Sequence, residues 1–324
     1  MSIQISSLSH LSLLIIEGID SRQFLQGQIT CDTNNINHNQ YQYAAHCTNK
    51  GRTIANFIAA AMEPDSDDKA AAIVLRTHAS LKQTLHASLA KYMVFSKAEI
   101  QPKSDFFRIF GLQGNAKQWL NQHYKIQFSD DNKHQIIHKS GAYFLALDSD
   151  RVECWIDQDN QEFNDICEQA EQDLTSNALD NWLLADINNG IGWIRDSTSE
   201  LFLPQMLNFD VADIAGIDFK KGCYTGQEIV ARMHYKGKLK RRLQLFTIES
   251  SATTGQLNIA PAAKLYNLSS SQSIGDIVSV IEHKGIFNIL AVCSVIDTQD
   301  DNVFLSHNGA DKLRQSSLPY AITT

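Results

Sequence analysis

In the run Phe219-Lys220-Lys221-Gly222-Cys223-Tyr224-Thr225-Gly226-Gln227-Glu228 a single thiol lies close to two glycines and follows a lysine pair. A cysteine so placed has three uses: a nucleophile, a metal ligand, or a small side chain packed in a tight turn. Thr225 with Glu228 three residues on reads as a capping box, the threonine closing a helix N-terminus and the glutamate reaching back to the cap amide. Cys223 then sits just ahead of a helix start, where the helix dipole and the charges of Lys220 and Lys221 favour thiolate over thiol. Gly222 and Gly226 allow positive φ and close approach of a ligand or a partner backbone. Taken alone, a cysteine is more often a packed small residue. The glycines, lysines and cap shift the balance toward chemistry.

The same region is basic. From Phe219 to Leu243 eight Lys or Arg stand against Glu228 alone, a net charge of +7 in a chain whose overall charge is −8. Lys236-Gly237-Lys238-Leu239-Lys240-Arg241-Arg242, with His234, Tyr224 and Tyr235 near, suits RNA phosphates or the glutamate tail of a cofactor; a solvated connector between domains is the equal alternative. An acidic chain does not coat nucleic acid non-specifically, so any such contact is local. The six cysteines, at 31, 47, 154, 167, 223 and 293, include no C-x-x-C pair of the kind that holds structural zinc or a permanent iron–sulfur cluster. Unpaired thiols, and an N-terminus without a basic region leading into a long apolar segment, predict a cytoplasmic protein with no membrane association.

These residues need a scaffold. A chain of 324 residues exceeds the usual limit for one compact core. Leu11 to Ile16 reads as a buried strand, and Asp20-Ser21-Arg22-Gln23 as a capping box opening a helix through Gln28. Ala44 to Ala61 is β-prone on both sides of Asn49-Lys50-Gly51-Arg52, which predicts a hairpin. Glu63 to Asp68 is a polar loop, and Thr77 is placed to cap a helix bearing Leu81, Leu85, Leu89 and Tyr92 on one face. Phe106 to Leu112, a helix capped by Asn115, the runs Ala142 to Leu147 and Val152 to Ile156, and a helix near Phe163 to Leu174 resemble a ferredoxin-like insert at residues 103–175. Ser176 or Asn177 caps a helix in which Leu179, Trp182, Leu183 and Ile187 share a face, with Gly190 ending it. Beyond residue 241, strands at Arg242 to Glu249, Ile274 to Ile281 and Ile286 to Cys293 predict a small β-barrel. The expected class is α+β, with a region at 1–240 and a barrel domain at 241–324.

The segment Lys221 to Glu228, followed by Arg232, matches the K-G-C-Y-x-G-Q-E signature of the YgfZ family, folate-binding proteins associated with tRNA modification and built on the scaffold of glycine-cleavage aminomethyltransferases. Phe24 to Thr30, His46 to Arg52, Lys91 to Lys97 and Phe202 to Asn208 resemble further segments of that family. The resemblance implies a multi-domain, aminomethyltransferase-like ring of two α/β subdomains, one ferredoxin-like, with a central hole for tetrahydrofolate and a C-terminal β-barrel. It implies cofactor contacts from Trp182, Lys221, Tyr224, Gln227, Glu228 and Arg232, and from Leu11, which stands where the family has a second tryptophan and offers only apolar packing. Asp186 and Arg195 flank the Trp182 helix and its exit, within reach of such a cofactor. The implied partners are iron–sulfur client proteins such as tRNA methylthiotransferases; a weak tRNA contact is what the basic stretch at 236–242 adds by its charge. Asn56 stands where the parent transferases carry an aspartate, and an amide cannot serve as carboxylate base. The expected function is therefore a folate-binding accessory protein that supports iron–sulfur cluster maturation or repair, and thereby tRNA thiolation, with Cys223 as the key thiol. A tetrahydrofolate-dependent aminomethyl or one-carbon transferase and an RNA-binding module are the alternatives.

Overall fold

The structure, a computed structural model, describes residues 3–62, 72–101, 106–129, 134–172, 177–250, 259–268, 272–295, 302–307, 309 and 311–322. The loop expected at Glu63 to Asp68, the cap at Ser176 and the helix end at Leu174 lie outside the described residues. The chain forms two compact units: Met1–Ala44, Phe57–Trp182 and Lys221–Cys223 make the first, and Ala45–Asn56, Leu183–Lys220 and Tyr224–Thr324 the second.

In chain order the strands are β1 (Gln4–Ser7), β2 (Leu11–Glu17), β3 (Gln42–Cys47), β4 (Thr53–Ala61), β5 (Ile73–His78), β6 (Glu99–Gln101), β7 (Phe107–Gln113), β8 (Ile136–Lys139), β9 (Ala142–Ala146), β10 (Arg151–Asp157), β11 (Arg241–Glu249), β12 (Lys264–Tyr266), β13 (Ser273–His283), β14 (Ile286–Ser294), β15 (Val303–Phe304) and β16 (Lys312–Ser316). The helices are α1 (Ser21–Gln26), α2 (Lys82–Met93), α3 (Ala116–Tyr124), α4 (Asn164–Gln172), α5 (Ala178–Asn188) and α6 (Gln227–Tyr235). No helix among the described residues is long and apolar enough to cross a membrane.

The first unit rests on two five-stranded sheets, in the orders β1-β7-β10-β9-β8 and β3-β4-β5-β2-β6. In the former, β7, α3, β9, β10 and α4 follow the ferredoxin-like alternation, and β1 from the N-terminus takes the place of its final strand beside β7. Phe110, Leu112, Leu120, Phe144, Val152, Phe163 and Ile166 fill the space between this sheet and its two helices. In β4 every residue is buried, which Ala55, Ala59, Ala60 and Ala61 permit by letting neighbours approach both faces.

A charged pair joins the two sheets. Arg76 of β5 donates from Nε to Oε1 of Glu153 on β10 at 2.9 Å and from Nη2 to Oε2 at 2.8 Å. Trp155 Nε1 adds a third bond to Glu153 Oε1 at 2.7 Å. Isolated, either buried charge would cost several kcal/mol, so the bidentate geometry and the indole are what make the burial tolerable.

Four local expectations are corrected. Asp20 precedes α1 without capping it, because its Oδ2 accepts from the Lys97 amide at 2.8 Å instead, and α1 ends at Gln26 rather than Gln28. Thr77 is a buried residue of β5; His78 Nδ1, accepting from Ser80 N, caps the short turn that leads into α2. Asn115 precedes α3 in the left-handed region with no side-chain cap. On α2, Leu85 and Leu89 are buried with the preceding Leu81 as expected, whereas Tyr92 faces solvent.

In the second unit β11-β14-β13-β12-β15-β16 close into a barrel. Phe246, Leu265, Ile277, Ile289, Ala291 and Leu313 fill it. A Cβ at Gly275 would lie 2.5 Å from Cys293 Sγ, so the glycine is what lets β13 pass that thiol. After β16 the tail returns to α5, where Tyr320 donates to the Gly190 carbonyl at 2.8 Å and accepts from Asn208 Nδ2 at 3.2 Å.

Candidate functional site

Within the second unit the motif meets the tip of the β3–β4 hairpin. The tip is a tight turn, Gly51 N to Thr48 O at 2.9 Å and Thr48 N to Arg52 O at 2.8 Å. Gly226 adopts φ +85°, and a Cβ there would come within 2.4 Å of Thr48 O and 3.1 Å of both Cys47 Cβ and Gly51 Cα. Gly51, at φ +72°, faces the Ile229 side chain of α6, a Cβ there standing 3.1 Å from Ile229 Cβ. Two glycines thus allow two backbones to touch where any side chain would hold them apart. The segment after Glu200 locks onto the same tip: Thr53 N donates to Phe202 O at 2.8 Å, Arg52 Nη1 to Leu201 O at 2.5 Å, and Gln205 Nε2 to Val230 O of α6 at 2.6 Å.

The capping box at Thr225 is not formed. The residue before α6 is Gly226, in the left-handed region, which has no side chain to cap with; Glu228 is the second residue of the helix, too early to reach back as the box requires. Gln227, Glu228 and Arg232 all lie on α6, with Glu228 and Arg232 exposed and Gln227 half-buried. Tyr224 is buried, and desolvation, with a smaller contribution from Cys47, pushes its phenol well above the ordinary tyrosine range. Burial likewise pushes the Cys47 thiol up to about 12, a smaller opposing effect coming from Thr53.

Asn56, in the same unit, is fully committed. Its Nδ2 donates to Gly192 O at 2.8 Å and its Oδ1 accepts from Ile194 N at 2.8 Å. An aspartate could accept from Ile194 but could not donate to Gly192, so the amide is the side chain that fits this backbone. The loop so held carries Trp193, whose indole donates to Asp186 Oδ2 at 3.2 Å, and then Arg195. Burial pulls the Arg195 guanidinium below its ordinary pKa, and its buried Nε has no partner among the described residues. A desolvated donor left open on a guanidinium suits an incoming carboxylate.

In the first unit Lys221 is buried, its ammonium donating to Ile29 O at 2.8 Å and Cys31 O at 2.7 Å. It anchors the loop to the turn after α1 and directs much of its charge onto carbonyls. Gly222 follows, with nothing within 4 Å of where a Cβ would stand, and then Cys223, exposed. The other five cysteines are all buried. Leu11 is buried on β2, opposite His78 of β5. Trp182 is 1% exposed; Gly111 gives its ring room, a Cβ there falling 2.5 Å from Cε3, and the Arg151 guanidinium lies 4.8 Å from its centroid. Among the described residues no three His, Cys, Asp or Glu side chains gather as a metal set.

Comparison with known proteins extends this description. No family model matches the chain. It is 33% identical to the tRNA-modifying protein YgfZ of Blochmanniella pennsylvanica (strain BPEN), over 73% of this chain and 69% of that one. It is 31% identical to the protein of the same description from Aliivibrio fischeri (strain MJ11), over 76% and 72%. The corresponding Escherichia coli (strain SMS-3-5 / SECEC) protein is 27% identical over 99% and 94%. In structure the chain is similar to the glycine cleavage system aminomethyltransferase T of Bartonella henselae, with a TM-score of 0.70 over 98% of this chain and 86% of that one at 15% identity, a likeness of fold.

Proposed function

The chain belongs to the YgfZ family of tRNA-modifying proteins, and from that premise we propose that it is a cytoplasmic, tetrahydrofolate-binding accessory factor for iron–sulfur cluster maturation or repair in enzymes such as tRNA methylthiotransferases. The observation that carries this reading is the setting of Cys223: the one exposed thiol of six, on a glycine-flanked loop anchored through the buried Lys221. A thiol offered on a fixed loop is suited to transient work. It gives its proton to solvent and its sulfur donates a pair to iron held mainly by the client, or it exchanges with a partner's sulfur.

The cofactor side of the proposal rests on Arg195. Its open Nε is a ready partner for a carboxylate of the folate glutamate tail, and the Asn56 latch fixes the loop that presents it. Tyr224, Gln227, Glu228 and Arg232 are the further contacts we assign on the second unit, while Leu11 and Trp182 contribute packing beneath the first unit's surface and Lys221 holds the cysteine loop. Bound tetrahydrofolate brings a one-carbon carrier. Aminomethyl transfer is the weaker reading because Asn56 supplies no carboxylate and its amide is already bonded on both sides.

The test is replacement of Cys223 by Ala in cells lacking the native protein, with methylthiolated tRNA as the readout. A fall to the level of the deletion is expected. Wild-type levels of the modification would remove the thiol from the mechanism.

A further inference from the structure

The basic stretch of the second unit is not the uniform stripe that its sequence suggests. Arg242 forms a close pair with Asp210, Nη1 to Oδ1 at 2.5 Å and Nη2 to Oδ2 at 3.0 Å, and also donates to Gln205 O. Arg241 lies 3.7 Å from Asp276. Arg242 thus ties β11 to the segment at Gln205 and Asp210, and Arg241 pairs within the barrel. Lys220, Arg232, Lys236, Lys238 and Lys240 are exposed and enter no ion pair among the described residues. The nearby acids in sequence are Asp218, whose Oδ1 accepts from the Lys220 amide, and Glu228.

An ordered aromatic cluster sits among these cations. Phe219 and His234 stack with centroids 3.7 Å apart and planes 13° from parallel. Tyr235 stands nearly perpendicular to both, at 6.3 Å and 72° from Phe219 and 4.8 Å and 80° from His234. It is 66% exposed. Packing thus fixes the Tyr235 ring while leaving most of it to solvent. Where a tyrosine is held open among unpaired cations on an otherwise acidic chain, the matching ligand offers both a flat apolar face and regularly spaced anions.

We propose that Tyr235, with Lys220, Lys236, Lys238 and Lys240, forms a contact surface for single-stranded RNA, an unpaired base stacking on the tyrosine and flanking phosphates meeting the cations. The surface stands on this geometry; that the RNA is the unpaired loop of a tRNA rests on the functional reading above. A duplex does not satisfy it, since its bases are stacked on one another and present no free face. An acidic peptide would satisfy the cations and leave the ring unused.

The experiment uses the full-length protein and a fluorescently labelled anticodon stem-loop transcript, titrated over a salt series. Binding at low salt is expected, weakening steeply as salt rises. Lys236, Lys238 and Lys240 changed together to Gln should lower the log–log salt slope by about 2, at roughly 0.7 per single-strand phosphate contact. Tyr235→Ala should weaken binding about 5- to 150-fold, the worth of one stacked base, and leave the slope unchanged. No binding at low salt overturns the proposal, as does equal affinity for a hairpinless duplex of the same length. Tighter binding of a polyglutamate peptide than of the RNA, insensitive to Tyr235→Ala, assigns the surface to an acidic partner and also overturns it. Tetrahydrofolate affinity of the same variants should stay at the wild-type value, so that failure here and failure of the folate reading register separately.

Discussion

Asn56 bonds Gly192 and Ile194 at once, so a single buried amide on β4 sets the backbone that leaves α5. Replacing it by aspartate keeps the shape and removes the donor. The Gly192 carbonyl is left unpaired, and a carboxylate is buried with no cation given to it. We expect Asn56→Asp to destabilise the fold by at least about 1–3 kcal/mol, the cost of one unsatisfied buried group, read as a lowered urea midpoint with unchanged m-value. It should gain no aminomethyl transfer to tetrahydrofolate. Detectable transfer by the purified variant would mean that the site is a transferase site lacking only its carboxylate.

The two motif glycines make opposite predictions. Gly226 combines φ +85° with a Cβ position 2.4 Å from Thr48 O, a backbone atom that cannot swing away. Gly226→Ala should therefore cost about 2 kcal/mol or more, from left-handed strain and from separation of α6 from the hairpin. Gly222 has nothing within 4 Å of where a Cβ would stand and no positive φ. Gly222→Ala should stay within about 0.5 kcal/mol of wild type in thermal denaturation. Equal effects of the two changes would contradict the contact between Gly226 and the hairpin tip.

How far these features are legible in sequence depends on their range. The β-prone runs of β2, β4 and β10 announce strands, and the leucine spacing of α2 announces its buried face. β12 and β15, of three and two residues, are too short to carry any periodicity. Both capping boxes fail for one reason: the pattern is common, and a tertiary partner can displace the cap. Asp20 is drawn to the Lys97 amide, while the approach of Gly226 to Thr48 sets the start of α6 beyond Thr225. Lys221 reads from its neighbours as a charge near the thiol, yet its carbonyl partners lie at Ile29 and Cys31, some 190 positions earlier. The latch at Asn56 reaches Gly192 across 136 positions. In each case the decisive contact is long-range, and only the resemblance of separated segments hinted that they belong together.

The cysteines separate by burial, which gives a chemical and a pH test. In native protein a maleimide should label Cys223 rapidly, and the other five only after unfolding, as counted by mass spectrometry. Cys47, raised to about 12 in the fold, keeps a proton that the unfolded chain releases near its ordinary value of about 8.5. Its contribution to stability is thus complete below about pH 8.5 and is lost as pH climbs from there toward 12. Cys154 and Cys293, also raised by burial, act in the same direction. A Cys47→Ala variant should show a shallower loss of stability over this alkaline range. Fast labelling of Cys47 in native protein would contradict its burial.

Arg195 and Trp182 divide the folate question between contact and support. Arg195 has a buried Nε with no partner among the described residues, so Arg195→Ala removes a ligand donor. It should weaken tetrahydrofolate binding at least about tenfold, the loss expected for a charge-assisted bond, while leaving the melting temperature nearly unchanged. Trp182 is 1% exposed, set against Gly111 and Arg151. Trp182→Ala should cost about 3–5 kcal/mol of stability, as buried aromatic truncations do. If Trp182 acts only through packing, Trp182→Phe, which keeps a ring against Gly111, should recover most of the stability and the folate affinity together, as followed by calorimetry of binding and of unfolding. Recovery of stability with folate affinity still lost would instead make the indole a direct wall of the cofactor site, and would require its surroundings to open when the ligand enters.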